Sequence, residues 1–453
     1  MSAIETVQET GDLELQISSH ATIPETNQPQ PFSLNLTPIS SHLFKASVTI
    51  DPLIVDPLWL TTVEIFRHDR IEGFDESTIP AEYVNDVFKG EIQNKIKHYL
   101  FHHVVIDYLF NELIKRKIAV ANTPRLSFIE TQDEKKIIYH FDVSTSDILE
   151  LKDWKLFAFK SPKRKRYKDL DKQVVAFIDG RPDISPTVAT VTENDWVMFQ
   201  ATPVNAANEP ISPNLISSFW IFTQRQEVIE PFVIELLGKK FEETFYTTAI
   251  DLYQDEIKAE HHSYRYRITI MAIVKGANFC LETFKTTFKL KNKMDVHNKL
   301  MEVFSYRNDI SQRKAIIEEV FHLLLSKHRF EIPKHLILRR EEDLLATMLQ
   351  QPDYHVYKAQ TNFTAYVELL AEKQLKEEIL IDQIAFQENI KPDIRDIAQY
   401  FHLLSNKRLQ EFVYFKPIFL RSDRVESPIN LTTISLVVMR EKTLNLIVHV
   451  LTR

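Results

Sequence analysis

The alternation of apolar and polar positions changes period along the chain. Near the start, the stretches Phe32 to Leu36 and His42 to Ile50 alternate with period two. That pattern predicts strands, because successive side chains of a strand point to opposite faces. A helix is expected from Leu58 to His68, longer helices from Val87 to Lys117, and strands around Leu126 to Phe128 and Lys136 to Val143. From about Ile184 to Gly276 the texture is strand-rich, aromatic and punctuated by proline. From Asp309 to Phe412 the period becomes helical. Ile316, Ile317, Val320, Phe321 and Leu324 recur at i, i+3/i+4 spacing. After a break at Phe330 to Pro333, Ile337, Leu344, Leu345 and Met348 carry a second stripe. The Gln351-Pro352-Asp353 turn ends it, because proline lacks a backbone donor and disfavours helix in the residue before it. Phe363, Val367 and Leu370 then lead into Ile379, Leu380 and Ile384, and Lys391-Pro392-Asp393 restarts a helix with Ile394, Ile397, Phe401 and Leu404. Two helical hairpins with charged outer faces are expected here.

Composition narrows the function classes. At 453 residues, 44% hydrophobic and 26% charged, the chain reads as globular with two to four domains. Six glycines and the lack of G-x-G-x-x-G or P-loop patterns argue against a phosphate-cradling loop, and no cofactor is expected. The net charge of -8 gives no global reason to bind DNA. A lone Cys280 excludes an internal disulfide and reads as a small buried hydrophobe or, alternatively, a reactive thiol. No lysine or arginine precedes Lys45, and no apolar run is long enough for a membrane span, so a cytoplasmic location without membrane contact is expected. Residues 1–30 hold Glu5, Glu9, Asp12, Glu14 and Glu25 with few apolar residues, which predicts an acidic disordered tail. Lys160 to Lys168 is the one concentrated basic run, read as a solvated connector, as a contact for nucleic acid such as RNA, or as a nuclear import signal. His102-His103 and His261-His262 are not expected to bind metal, since neighbours on a helix point about 100° apart and no Cys/His quartet supports them. Glu341, Glu342 and Asp343 read as a solvated helix face.

Several stretches resemble one known family. Glu319-Val320-Phe321-His322-Leu323-Leu324-Leu325 runs into Glu331-Ile332-Pro333-Lys334-His335-Leu336-Ile337, an apolar helix followed by an E-x-P-x-x-L start. Leu375 to Ala385, then Glu388-Asn389-Ile390, follows an L-x-x-I-A-x-x-x-x-I pattern, and Ser435 to Val448 is similar to a closing V-L-R-E-K-V-L helix. Gly73, Phe74 and Pro80 fit a G-F-x-x-x-x-x-P loop between helices. All of these resemble trigger factor, the bacterial ribosome-associated chaperone. The resemblance implies a multidomain α+β fold. Its parts would be an N-terminal ribosome-binding-type domain over 31–143, a connector over 144–185, an FKBP-like insert over 186–276, and a helical chaperone domain with two arms over 277–453.

The resemblance also implies roles for residues. Gly73, Phe74, Asp75 and Pro80 would form the ribosome loop, but Asp75 stands where the family has arginine. A carboxylate is repelled where a cation would gain from phosphate, so ribosome docking is expected to be weakened. Trp196, Phe199, Phe222, Phe232 and Tyr266 would line an apolar prolyl-isomerase cleft that desolvates the amide, or else form the core of a small sheet. Phe363, Tyr366, Leu370, Phe401 and Phe412 would offer apolar contacts to clients, or else pack between the arms. The implied function is ATP-independent shielding of unfolded or nascent polypeptides, with room for weak isomerase activity and for a homodimer. The alternative is a scaffold of the same fold for one dedicated partner.

Overall fold

Alternation near the start does become paired strands. In the computed structural model, residues 31–453 are described except 41, 68–78, 119, 122, 133–134, 147–148, 164–167, 180–189, 224–230, 251–263, 276–280, 350 and 417–427. Strands β1 (Phe32–Ser40) and β2 (Leu43–Ile50) precede helices α1 (Pro52–Arg67), α2 (Ala81–Val87) and α3 (Lys89–Leu100). A π-helical turn over Phe101–Val105 leads into α4 (Ile106–Lys115), followed by β3 (Arg125–Gln132) and β4 (Lys136–Ser144). The four strands form an antiparallel sheet in the order β1-β2-β4-β3. Its inner face, with Ala46, Val48, Ile50, Tyr139 and Phe141, is buried in one core with Leu58, Ile92, Ile96 and Leu100 of the helices. Helix α1 starts six residues before its expected position, because Pro52 suits a first turn, where its missing N–H costs nothing.

A second sheet occupies the middle of the molecule. After α5 (Leu170–Asp179) come β5 (Asp195–Val204), β6 (Ser217–Phe222), α6 (Pro231–Leu236), β7 (Thr244–Thr247) and β8 (Arg265–Lys275). Helices α7 (Leu281–Phe288) and α8 (Lys293–Phe304) follow, then the two-residue strands β9 (Tyr306–Arg307) and β10 (Ile310–Ser311), and α9 (Gln312–Lys327). The remainder is α10 (Lys334–Leu349), α11 (Tyr354–Lys358), α12 (Phe363–Gln387), α13 (Ile394–Leu404), β11 (Ile429–Asn430) and α14 (Leu431–Leu451). The middle sheet runs β11-β6-β5-β8-β7, all antiparallel, so an edge strand comes from residues 429–430, next to the last helix.

Both faces of this sheet are covered. Trp196, Met198, Trp220 and Ala272 face a helical body, while Val197, Phe199, Ile221, Ile268 and Ile270 share the core of the N-terminal sheet and helices. Burial on both sides explains why β5 reads as a near-continuous apolar run rather than an alternating one. Hydrogen bonds stitch the second face: Ser217 Oγ donates to the His103 carbonyl at 2.8 Å, and the Thr62 and Tyr264 hydroxyls lie 2.7 Å apart. The expected isomerase cleft is therefore corrected. Trp196 stacks on Phe401 at 3.9 Å and touches Phe222, on the helical side. Phe199, Phe232 and Tyr266 are buried on the opposite face. Side chains on opposite faces of one sheet cannot line a common cleft.

The helical body is centred on α14, buried along its length by Ile434, Val438, Leu444 and Ile447. Around it lie α9 with Ile316, Val320 and Leu324, α13 with Ile397 and Phe401, and the second half of α12 with Leu380, Ile381 and Ile384. Helix α13 starts at Ile394 as expected, with Asp393 and Asp396 capping each other's backbone N–H at 2.9 Å. The expected pair of sequential hairpins is corrected. Helix α9 belongs to the body, and α10 pairs instead with the first half of the 25-residue α12, across α11. Helix α12 thus passes continuously from a projecting hairpin into the core. Among the described residues no helix is long and apolar enough to cross a membrane, and no cluster of His, Cys, Asp and Glu could hold a metal ion.

Candidate polypeptide-binding arm

Two helices placed side by side bury only one stripe each. In the α10–α12 hairpin that stripe is Leu336 and Leu344 against Val367, Ala371, Leu375 and Ile379, the last four at i, i+4 spacing on one face of α12. Ile337, Leu345, Met348, Phe363 and Leu370 pack at its margins, half-buried. Among the described residues nothing covers the outer faces at the far end. Leu349, Val356, Tyr357, Tyr366 and Leu369 are exposed there, Val356 and Leu369 to about two-thirds of their full surface (67% and 66%). Exposed apolar side chains gathered at one end of a hairpin make that end the candidate binding surface.

The other end of the arm is fixed by charge. Arg340 of α10 donates two hydrogen bonds to Glu378 of α12, at 2.8 and 2.7 Å. Arg440 of α14 lies 3.0 Å from the same Glu378 and grips Asp382 at 2.9 and 2.7 Å. Burial opposes the charge of Arg440, but Asp382 and Glu378 hold its guanidinium above the ordinary value. Burial pushes the Asp382 carboxyl up, against the pull of Arg440. Planar bidentate pairs of this kind fix orientation as well as position.

Glu377 adjoins this network and is almost fully buried. Its Oε2 accepts from the Tyr414 hydroxyl at 2.8 Å, and Oε1 has no hydrogen-bond partner among the described residues. Burial pushes its carboxyl up to about 7, beyond what the Tyr414 hydrogen bond and Lys373 pull back.

The expected client residues divide. Tyr366 is exposed at the arm tip, with half-buried Phe363 and Leu370 beside it. Phe401 and Phe412 are corrected: both are fully buried, Phe401 against Trp196 and Trp220, and Phe412 between Phe284 and Phe288. They hold the body together and present nothing to a client. Leu349, Val356, Tyr357 and Leu369 are exposed beside Tyr366 and join the candidate site, though no sequence pattern by itself singles them out. Their signal is apolar character out of phase with the buried stripe, and phase becomes visible only once the partner helix is known. Of the expected ribosome loop, Gly73, Phe74 and Asp75 lie outside the described residues, as do Cys280, His261-His262 and residues 1–30. Pro80 is exposed just before α2, and the neighbouring Ile79 is buried, its carbonyl accepting from Arg67 at 2.8 Å. His103 is buried beside Tyr99, and burial followed by the charge of His102 pushes its imidazole down to about 3, so it packs as a neutral ring.

A search of the curated proteins gives no match. A solved chain of the trigger factor chaperone, from work on promiscuous substrate recognition in its folding and assembly activities, is 14% identical. The match covers 92% of this chain and 99% of that one, with a TM-score of 0.35, an overlap too low to carry any argument. The family model of the bacterial trigger factor C-terminus matches residues 294–411, a span that contains the whole α10–α12 arm. The chain is a trigger-factor-like protein, with that family's C-terminal domain over residues 294–411.

Proposed function

We propose that the protein is an ATP-independent chaperone that shields unfolded or nascent polypeptides in the cytoplasm, using the tip of the α10–α12 arm. The observation that carries this is the exposure of Leu349, Val356, Tyr357, Tyr366 and Leu369 at the free end of a hairpin whose other end is fixed by charge. A client's apolar segments gain ~25 cal/mol for each Å² they bury there, through many weak contacts and no single pocket. The rest of the chain is divided as the resemblance implies: a docking-type domain over 31–143, a connector over 144–185, a sheet region over 186–276, and the chaperone body beyond.

Prolyl isomerisation is left out of this reading, because the five aromatic residues that would form its cleft pack on two opposite sides of a buried sheet, Phe232 from helix α6. Ribosome docking is held to be weak, on the acidic Asp75 and Glu76 where cations would be favoured. In co-sedimentation, an Asp75→Arg variant should bind ribosomes more tightly than the parent.

Aggregation of a denatured client is the direct test. A Val356→Ser, Tyr366→Ser, Leu369→Ser variant should lose most of the suppression while keeping its unfolding midpoint, since all three side chains are exposed. Full suppression by that variant would refute the proposal.

A further inference from the structure

A cleft of ≈ 430 Å³ opens on the helical body, away from the arm tip, between the end of α7, α8, the start of α13 and α14. That volume is within the range of small-ligand sites, which pair apolar walls with a few convergent polar groups. The walls here include Phe288, Tyr400, Leu403 and Leu446.

The polar groups come from one face of α14, where Glu441, Asn445 and His449 follow each other at i, i+4 spacing and all line the cleft. This polar stripe lies on a helix whose buried positions are mostly apolar. Only part of it is satisfied internally. Asn445 accepts from Arg313, and Glu441 Oε2 accepts from the backbone N–H groups of Tyr414 and Phe415 at 2.9 and 3.1 Å. Glu441 Oε1 and His449 Nε2 are shielded from solvent without a hydrogen-bond partner among the described residues. Such atoms cost stability unless something supplies the missing partner.

The two ends of the stripe differ in charge. Lys289 and Lys299 line the cleft at the His449 end, and burial, then the charges of Arg453, Lys289 and Lys299, pushes the His449 imidazole below its ordinary value. Of the two lysines, Lys299 is paired with Glu302 at 3.0 Å, and Glu302 also lies 3.9 Å from Arg313. At the other end Glu441 is joined on the wall by Asp393 and Asp396, with Arg395 between them in sequence; Lys442 is already paired with Asp396 at 2.6 Å, and the charge of Arg313 acts on the Glu441 carboxyl. From Glu441 to His449 is about 12 Å along the helix at its rise of ~1.5 Å per residue. An extended peptide of roughly three or four residues spans that length.

We propose that this cleft binds a short peptide with free ends. Its carboxylate lies against Lys289, Lys299 and His449, and an N–H at its other end donates to Glu441 Oε1. The site is separate from the arm and does not rest on the chaperone reading. Calorimetric titration of the full chain with the tripeptide Leu-Ala-Leu tests it, alongside the same peptide amidated at its C-terminus. Saturable binding is expected, weakened about tenfold or more by amidation, which removes a charge-assisted contact. Lys289→Gln, an exposed substitution with little bearing on folding, should weaken the free tripeptide to a similar extent. Leu369→Ser at the arm tip should leave binding unchanged. No saturable binding, equal affinity for the amidated peptide, or indifference to Lys289→Gln would overturn the proposal. So would loss of binding in Leu369→Ser, which would place the peptide on the arm instead.

Discussion

At the scale of single residues, Phe401 and Glu377 show how burial decides a role. Phe401 has the same helical phase as a client-facing aromatic would have, yet it is fully buried between two tryptophans. Phe401→Ala should cost about 3–5 kcal/mol in urea unfolding, the usual loss for a large core aromatic. Glu377 answers to pH. Its carboxyl ionises near 4.5 in the unfolded chain and near about 7 in the folded one, so folding takes up a proton between those values. Its contribution to stability is therefore complete below about pH 4.5 and is lost as pH rises through about 7. The loss is on the order of ~3 kcal/mol. Glu377→Gln should remove this dependence, leaving the variant more stable than the parent at pH 8 and close to it at pH 4.5. Parallel denaturation curves at the two pH values check it. Equal destabilisation at both would show that Glu377 is ionised in the fold.

At the scale of elements, the arm is a hairpin whose apolar stripe alone would leave it free to pivot. Its direction comes from Arg340, Glu378, Arg440 and Asp382, which tie α10 and α12 to α14. Removing Arg440 takes the partner of buried Asp382 and leaves Glu378 with Arg340 alone, a change worth about 3–5 kcal/mol. Arg440→Met should speed hydrogen exchange along α10 and the first half of α12, while β2 and β4 of the N-terminal sheet keep their protection. The elements themselves were largely legible from sequence. Period two marked β1 and β2, and Pro392 with Asp393 marked the start of α13. Pairing was less legible. Sequence adjacency suggested α9 with α10, but the apolar face of α9, with Ile316, Ile317, Val320, Phe321 and Leu324, is taken into the body. Helix α10 then found its partner across the α11 turn.

At the scale of the whole molecule, the middle sheet is shared property. One face completes the helical body, the other completes the core of the N-terminal sheet and helices, and its edge strand β11 comes from near the C-terminus. Neither neighbour can lose the sheet without exposing a large apolar area. Hydrogen exchange in denaturant should therefore show β2 and β4 opening at the same concentration as β5 and β8, as one cooperative unit. Separate transitions would mean that the shared core contributes little. Periodicity and a handful of short patterns determined by themselves that the chain mixes strands with helices, and that its C-terminal region is of the trigger factor type. Local chemistry suffices for that, since period, proline and capping residues act within a few positions. Which apolar residues face solvent was decided only by the tertiary structure. Tyr366 and Phe401 look alike along the chain, and only the packing of distant elements leaves one uncovered and encloses the other.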